Sequence, residues 1–511
     1  MSGLVLYGNI NDLADKSEEI KISTTLKGVK IFNPDDENDI SSYSLVTQKA
    51  FEISKCEKNK AYVVAVTSDH EHNGKPSEWS NCIDKISFYN HSLFLISVGN
   101  FRGAPNEDGT HRILTEADYL SYQKDSCIQN PAQSWNAISV GAYTEIADQN
   151  LLRNDSGSPY VNAGDLSPYS RTSIKFDDSW PIKPDVLFEG GNKVVDGGYV
   201  MDSPHLHLVS CEPHFQTGNN KLFRNINATS AATALAGQFS WELMSQYPHF
   251  WPETIRGLMV HSAEWTSAMQ DKIPLNSSKT QLLEGLRCFG YGVPSLNKAR
   301  YSANNSLTLI SQHEFLLYKD QQNPKTKAIT RIPQTAEFDL PWPKDVLQND
   351  LGDKEIKVKI TLSYFIEPNL SSRGYEKIKY KYQSYGLRFE IKKPEESLNE
   401  FRQRFNQKAR EEVGEKADNN TSGLDWVYGS NSRNKGGSIH KDIIKNITGA
   451  KLAEMNKIIV YPTKGWWDKD KEIKTEDMKA RFSLLVDIET DEVNIDLYNN
   501  IKNIIETPIK I

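Results

Sequence analysis

Short apolar runs alternate with helix-like patterns over roughly the first 310 residues of the chain. The apolar runs lie at residues 61–66, 93–98 and 138–142. Runs of this length without strict polar alternation are typical of parallel strands buried on both faces. Helix-like segments occupy residues 76–88, 230–247 and 252–264. This order predicts an α/β fold in which helices cover both faces of a parallel sheet.

A different pattern begins near residue 311. Residues 357–362 and 387–391 alternate apolar and polar side chains, as expected for half-exposed strands. We therefore predict two domains, an α/β domain over residues 1–310 and a β-rich accessory domain over residues 311–511.

The accessory domain is predicted to contain one amphipathic helix near residues 397–413. Ser397 and Glu400 have the spacing of a capping box at its start. Residues 414–437 are rich in Asn, Ser, Gly and charged side chains, which predicts a long loop.

The composition of the 511 residues excludes several classes of protein. The net charge is -7, so no broad basic surface for nucleic acid is expected. No apolar run approaches the length of a membrane span. The five cysteines are scattered without a C-x-x-C pair, which argues against a disulfide framework and indicates a reducing compartment. We therefore expect a cytoplasmic protein that binds neither nucleic acid nor membranes.

Ser230 lies at the start of an alanine-rich helical segment. The first turn of a helix has free N–H groups and a partial positive charge, and both stabilise an oxyanion beside a serine nucleophile. Asn100 follows the apolar run at residues 93–98 after a glycine, where its amide can face a ligand. Taken singly, Ser230 also fits a helix N-cap, and Asn100 fits a turn.

Four segments in order resemble the subtilisin-like serine peptidases, or subtilases. Residues 97–100 resemble the oxyanion motif of that family, and residues 227–232 resemble its nucleophile motif. Residues 182–186 resemble its Lys-Pro-Asp segment, and residues 252–263 resemble the helix that follows the nucleophile helix. The resemblance covers residues 1–310 and implies a subtilisin-like endopeptidase that hydrolyses peptides or proteins without a cofactor or metal.

The resemblance also implies roles for single residues. Ser230 would be the nucleophile and Asn100 the oxyanion donor, while Thr67, Ser68 and Gly99 would bind the backbone of an extended substrate. Some bacterial relatives of this shape resemble two-component systems with a neighbouring ATPase, which suggests an ATPase partner.

Two positions depart from the family pattern. Ala228 stands where a Gly usually precedes Thr-Ser, and Ala234 stands where the family has Pro. Ala228 restricts the backbone more than Gly does, whereas the loss of Pro changes only how the helix is fixed.

A seryl hydroxyl needs a base that is itself oriented by a carboxylate. The family supplies them from an Asp at a strand end and from a His-Gly-Thr motif, and neither motif is found in this sequence. Residues 1–4 resemble the end of the family's His helix, so the catalytic His would lie shortly before Met1. In subtilisin, loss of this His lowers kcat by about 10⁶-fold. We therefore expect this chain to be nearly inactive alone, and the alternative is a non-catalytic, peptide-binding pseudopeptidase.

His70 and His72 could be considered as a substitute base, but they lie in a predicted polar loop. An α/β esterase is disfavoured, because Ser230 lacks a Gly-x-Ser-x-Gly motif.

His205 and His207 alternate along a predicted strand, and with Cys211 and His214 they form a set of zinc-ligand types. A strand leading towards the nucleophile is the plainer interpretation of this segment, so no metal site is predicted.

Overall fold

The computed structural model divides the chain into two compact units. The first comprises residues 1–296 and 435–437, and the second comprises residues 297–434 and 438–511. The structure describes residues 1–14, 22, 24–31, 43–54, 61–69, 72–105, 111–152, 156–212, 221–300, 306–322, 329–371, 373–411, 423–433 and 435–492.

The first unit contains the parallel sheet that the apolar runs predict. Its strands are β1 (Ala61–Val64), β2 (Leu93–Ser97), β3 (Ala104–Pro105), β4 (His111–Arg112), β5 (Ile138–Thr144), β6 (Ser158–Pro159), β7 (Asp165–Leu166), β8 (Val186–Glu189), β9 (Lys193–Asp196), β10 (Tyr199–Asp202), β11 (Leu208–Cys211), β12 (Phe223–Ile226), β13 (Ala263–Glu264) and β14 (Val293–Pro294). Strands β1, β2, β5 and β8 pair in parallel in that order, and β7 pairs antiparallel with β5. Every residue of β2 is buried, as two-sided coverage requires.

Helices of the first unit follow or connect these strands. They are α1 (Ser2–Tyr7), α2 (Asn11–Ala14), α3 (Tyr43–Ser54), α4 (Glu78–Asn90), α5 (Glu116–Asp125), α6 (Ala228–Gln246), α7 (Pro252–His261), α8 (Ser267–Lys272), α9 (Lys279–Phe289) and α10 (Leu296–Arg300), in which the division between the units falls. Among the helices that the structure describes, none combines the length and apolar character needed to cross a bilayer.

Helix α6 packs closely against the sheet through small side chains. It shares a buried apolar cluster with α1 and β11, formed by Leu4, Val5, Leu208, Ala231 and Ala234. A Cβ atom at Gly237 would lie 2.7 Å from Val63 Cγ2, so only glycine lets the helix backbone come this near to β1.

The Lys-Pro-Asp segment forms a buried ion pair. Lys183 is 1% exposed, and its Nζ lies 2.7 Å from Asp185 Oδ2. The same Asp185 oxygen accepts hydrogen bonds from the N–H and hydroxyl of Ser139 in β5, at 2.7 and 2.8 Å. Burial lowers the pKa of Lys183, and the charge of Asp185 opposes that shift. The pair anchors the chain before β8 to the neighbouring strand.

The second unit is β-rich. Its strands are β15 (Ser306–Leu316), β16 (Tyr318–Gln322), β17 (Ile329–Pro333), β18 (Ala336–Asp339), β19 (Glu355–Tyr364), β20 (Tyr385–Ile391), β21 (Asp425–Trp426), β22 (Ile439–Thr448), β23 (Lys457–Lys464) and β24 (Lys479–Thr490). They form antiparallel sheets in the orders β15-β24-β19-β22-β21, β18-β23-β20 and β16-β17. Its helices after α10 are α11 (Leu398–Glu411), α12 (Gly429–Arg433) and α13 (Gly449–Glu454). The predicted architecture, an α/β unit with a parallel sheet followed by a β-rich region, is confirmed.

The prediction of half-exposed strands is wrong for β19. From Val358 to Tyr364 this strand is buried on both faces. Lys359 lies opposite Asp487 of β24, both are less than a tenth exposed, and their charged groups are 3.8 Å apart. The polar face can be covered because its charges are of opposite sign and adjacent.

Helix α11 begins with reciprocal hydrogen bonds. The Ser397 N–H donates to Glu400 Oε2 at 2.7 Å, and the Glu400 N–H donates to Ser397 Oγ at 3.2 Å. One face of the helix enters a buried cluster formed by Phe401, Phe405, Ile459 and Tyr461.

The predicted loop at residues 414–437 is wrong in its described part, which contains β21 and α12. Residues 414–422 and 434 lie outside the described residues. Arg433 is 3% exposed, lies 3.7 Å from Asp442 Oδ2, and sits 4.3 Å from the ring centroid of Trp426. The composition predicts a loop, whereas an ion pair with Asp442 and contact with the Trp426 ring bury Arg433 in this segment.

Lys183→Met tests the buried ion pair, because it keeps an apolar chain of similar length but removes the cation beside Asp185. We expect the free energy of unfolding in urea to fall by about 3–5 kcal/mol, since the remaining carboxylate is buried without its charge partner. Lys175→Met is the control: Lys175 is half exposed and 3.4 Å from Asp125, so its change should stay within about 0.5 kcal/mol. Equal changes in both variants would contradict this account.

Candidate active site

Asn100 connects the end of β2 to the start of α6. Its Oδ1 accepts hydrogen bonds from the Thr229 N–H at 3.0 Å and from Thr229 Oγ1 at 2.6 Å. A backbone N–H can only donate, so the atom facing it must be the amide oxygen. The Nδ2 group of Asn100 forms no hydrogen bond within the described residues. Asn100 thus contacts Thr229, the residue that precedes Ser230, and its Nδ2 donor has no hydrogen-bond acceptor among the described residues.

Thr229 belongs to a short chain of hydrogen bonds. Ser97 Oγ lies 2.7 Å from Thr229 Oγ1, and the Gly99 N–H donates to Ser97 Oγ at 3.3 Å. Ser97 and Thr229 are both buried, so these bonds are shielded from water. Groups from β2 and α6 together set the orientation of the Asn100 amide.

Ser230 is partly exposed in the first turn of α6. In the part of the chain that the structure describes, neither its N–H nor its hydroxyl forms a hydrogen bond. Two residues earlier, Ala228 has a φ of 65°, and its N–H donates to Gly190 O at 2.7 Å. Ala228 therefore adopts the left-handed conformation that the family's usual Gly would take, at a cost of about 1 kcal/mol.

The residues predicted to bind substrate lie around Gln129 and Asn130. Thr67 Oγ1 donates to Gln129 Oε1 at 2.7 Å, and the Ser68 N–H donates to Asn130 O at 2.8 Å. Gly99 has a φ of 86°, and a Cβ atom there would overlap with the Gln129 side chain. The structure brings Thr67, Ser68 and Gly99 together, although the Ser68 N–H is already bonded within the protein.

The expected alternation of His205 and His207 along one strand is wrong. Residues Pro204–Leu206 form a 3-10 turn that begins with proline, and β11 starts only at Leu208. His205 is exposed, whereas His207 is half-buried. No group of three His, Cys, Asp or Glu side chains among the described residues is arranged to hold a metal ion.

The other histidines singled out from the sequence are His70, His72 and His214, and the structure describes His72. His70 and His214 lie outside the described residues. His72 Nδ1 accepts a hydrogen bond from the Gly74 N–H at 3.0 Å, and its ring packs edge-on against Phe176.

His207 instead belongs to a polar network. Its Nε2 lies 3.0 Å from the Tyr169 hydroxyl and 3.0 Å from Asn227 Nδ2. Tyr169 donates to Asp202 Oδ1 at 2.5 Å, and Lys193 Nζ donates to the same oxygen at 2.8 Å. Burial lowers the pKa of His207 to about 4; the charge of Asp202 acts against that shift and the charge of Lys193 adds to it. His207 is therefore neutral near pH 7.

Residues 1–292 match the model of the subtilase family. The chain belongs to the subtilase family. The matched segment covers more than half of the chain and includes Asn100 and Ser230, so the protein is a serine peptidase by family.

The relatives that match this chain are distant in sequence. The chain is 24% identical over 302 residues to "Uncharacterized protein y4bN" of Sinorhizobium fredii (strain NBRC 101917 / NGR234), covering 57% of this chain and 63% of that protein. It thus spans less than two thirds of that relative's length. Similar solved structures include the prenylagaramide maturation protease PagA (14% identity, TM-score 0.29, covering 55% of this chain and 68% of that one). MycP1 from Mycobacterium smegmatis is also similar (14% identity, TM-score 0.29, covering 54% and 60%).

Sequence reasoning missed the residues that hold the candidate site together. The sequence marks Thr229 only as part of the nucleophile motif, and its position directly before Ser230 is the signal that points to it. Gln129, Tyr169 and Asn227 carried no separate signal, because their contacts reach side chains that are remote in sequence.

Gly99→Ala tests the close approach of Gln129. We expect a loss of about 1–3 kcal/mol in the free energy of unfolding, because the new methyl group combines an unfavourable backbone conformation with an overlap. Gly198→Ala is a matched control, since Gly198 has a similar φ of 82° but no atom within 4 Å of the added Cβ. Denaturant unfolding should show a larger loss for Gly99→Ala, and a loss no larger than the control's would contradict the overlap.

The low pKa of His207 predicts a pH-dependent stability. Between about pH 6.5 and 4 the unfolded chain binds a proton at this residue that the folded chain does not, so stability falls as the pH falls. From pH 7 to 4.5 this contribution is on the order of 2 kcal/mol. His207→Gln should lose less stability on acidification than the wild type does, as measured by urea unfolding at both pH values. His205→Gln controls for the loss of an exposed histidine, and identical pH dependence in wild type and His207→Gln would refute the prediction.

Proposed function

We propose that the chain is an endopeptidase unit in which Ser230 is the nucleophile and Asn100 stabilises the oxyanion. The observation that carries this proposal is the pair of hydrogen bonds from Thr229 to Asn100 Oδ1. They hold the amide oxygen against the helix, so the Nδ2 donor is available beside Ser230.

The chemistry is acyl transfer. Ser230 Oγ attacks a peptide carbonyl carbon and gives up its proton to a general base, which passes a proton to the leaving amine; water then releases the acyl group from the serine. Asn100 Nδ2 and the Ser230 N–H are the two donors for the oxyanion that forms on the carbonyl oxygen. One such donor is worth about 10²–10³-fold in kcat.

Peptides or proteins are the proposed substrates, with Thr67, Ser68 and Gly99 at the backbone-binding edge. The grouping of these residues around Gln129 supports this assignment. A cytoplasmic location and an ATPase partner stay predictions from composition and resemblance.

Slow turnover by this chain is part of the proposal. A serine hydroxyl without a hydrogen-bonded base is a weak nucleophile, and none of the described residues hydrogen-bonds Ser230 Oγ. The same observation favours the second candidate function, a non-catalytic subtilase that binds peptides.

Reaction of the chain with a serine-directed fluorophosphonate, with and without added imidazole as an external base, separates the two candidates. For the peptidase we expect slow labelling of Ser230 that rises with imidazole concentration, because the imidazole takes the proton that leaves Oγ. Asn100→Ala should lower the labelling rate by about 10²-fold, and Ser230→Ala should abolish it. Mass spectrometry of the labelled peptide identifies the modified residue.

The other outcomes are equally distinct. A chain that binds extended peptides in a binding titration but never labels at Ser230 is the binding protein. Labelling at another serine, or an Asn100→Ala rate equal to that of the wild type, would reject the proposed site. Fast labelling without imidazole would reject only the slow turnover.

A further inference from the structure

Asn227 immediately precedes α6 at its N-cap position. Its backbone is extended, with φ of -143° and ψ of -173°, and asparagine is among the best N-cap residues because its side-chain oxygen can accept a first-turn N–H. Yet the Asn227 side chain forms no capping hydrogen bond. Asn227 is therefore suited to capping α6, but its side chain does not cap the helix.

The Asn227 side chain instead contacts His207 and hydrogen-bonds the Tyr169 hydroxyl. Asn227 Nδ2 lies 3.0 Å from His207 Nε2. The Tyr169 hydroxyl donates to Asp202, so its oxygen can accept a hydrogen bond from Asn227. A neutral His207 with its proton on Nδ1 presents a lone pair at Nε2, which accepts the second N–H of the Asn227 amide. Together these bonds direct the carboxamide away from the first turn of α6.

His207 is itself held by a residue that supports Asn100. The Tyr169 hydroxyl lies 3.0 Å from His207 Nε2, and the Tyr169 carbonyl accepts the Phe101 N–H at 2.8 Å. Asn100 pairs with Ser170 in an antiparallel bridge. The network therefore spans from the backbone of the Asn100 segment to the residue before α6.

Two backbone N–H groups at the start of α6, those of Thr229 and Ser230, differ in whether they are hydrogen-bonded within the protein. The Thr229 N–H is already bonded to Asn100 Oδ1. The Ser230 N–H forms no hydrogen bond among the described residues, and it is the group that an N-cap side chain at residue 227 would reach next.

We propose that His207 is a positioning residue that keeps the Asn227 carboxamide off the first turn of α6, so that the Ser230 N–H stays available to a substrate carbonyl oxygen. Its link to catalysis rests on the proposed function, whereas its effect on Asn227 does not. In this arrangement, loss of His207 lets the Asn227 side chain accept the Ser230 N–H, which is then no longer available to the oxyanion.

Hydrogen exchange of the full chain tests the structural part directly. His207→Leu removes one acceptor of the Asn227 amide and the ring that packs beside the Tyr169 hydroxyl, so Asn227 should turn and cap the helix, and the Ser230 amide should exchange about fivefold more slowly. Asn227→Ala combined with His207→Leu removes the side chain that would cap, and exchange should return to the wild-type rate. His205→Leu is the matched control at an exposed histidine in the same segment, and circular dichroism checks that each variant is folded.

Fluorophosphonate labelling of Ser230 with imidazole tests the catalytic part. We expect His207→Leu to label about tenfold more slowly and the double variant to recover to within about threefold of the wild type. A histidine with only a structural role would not be rescued by removing a second side chain. Unchanged exchange in His207→Leu, or no recovery in the double variant, would overturn the inference. Absence of labelling in every variant, with the exchange pattern as expected, would instead reject the proposed function and leave the role of His207 in place.

Discussion

The hydrogen bonds from Thr229 to Asn100 Oδ1 are the constraint on which the candidate site depends. They join two elements that are more than a hundred residues apart, the end of β2 and the start of α6. They also fix the orientation of the Asn100 amide, because only its oxygen can accept from the Thr229 N–H. Ser97 extends the contact into the strand, so the geometry at Ser230 follows from how the helix docks on the sheet.

Paired buried charge recurs in both units as a way to hold irregular segments. Lys183 and Asp185 secure the chain before β8, and Arg433 with Asp442 secures the short helix α12. Each pair places a charged group where water is excluded, so its partner is needed to keep the segment folded. In both units the regular sheet supplies the fixed partner, at Ser139 in β5 and at Asp442 in β22.

Sequence patterns predicted the elements better than their contacts. Continuous apolar runs located the central parallel strands because burial on both faces leaves a signal in consecutive residues. Asn100 and Ser230 could be nominated because four segments in order resemble subtilase motifs, whereas each residue taken singly also fits a turn or a helix N-cap. The contact of Thr67 with Gln129 and the network around His207 could not, because each joins side chains that are distant in sequence and ordinary in composition. The polar residues of β19 predicted a half-exposed strand, and that prediction is wrong for the same reason. Lys359 is buried against a partner on β24 that is distant in sequence.

The missing side chain at Gly237 has a mechanical consequence. Helix backbone and Val63 are in direct contact there, with no flexible group between them to absorb movement. We therefore expect α6 to shift together with β1 when the strand is displaced. Thr67 and Ser68 follow β1 along the chain, so a peptide held there would pull on the strand that contacts the helix carrying Ser230.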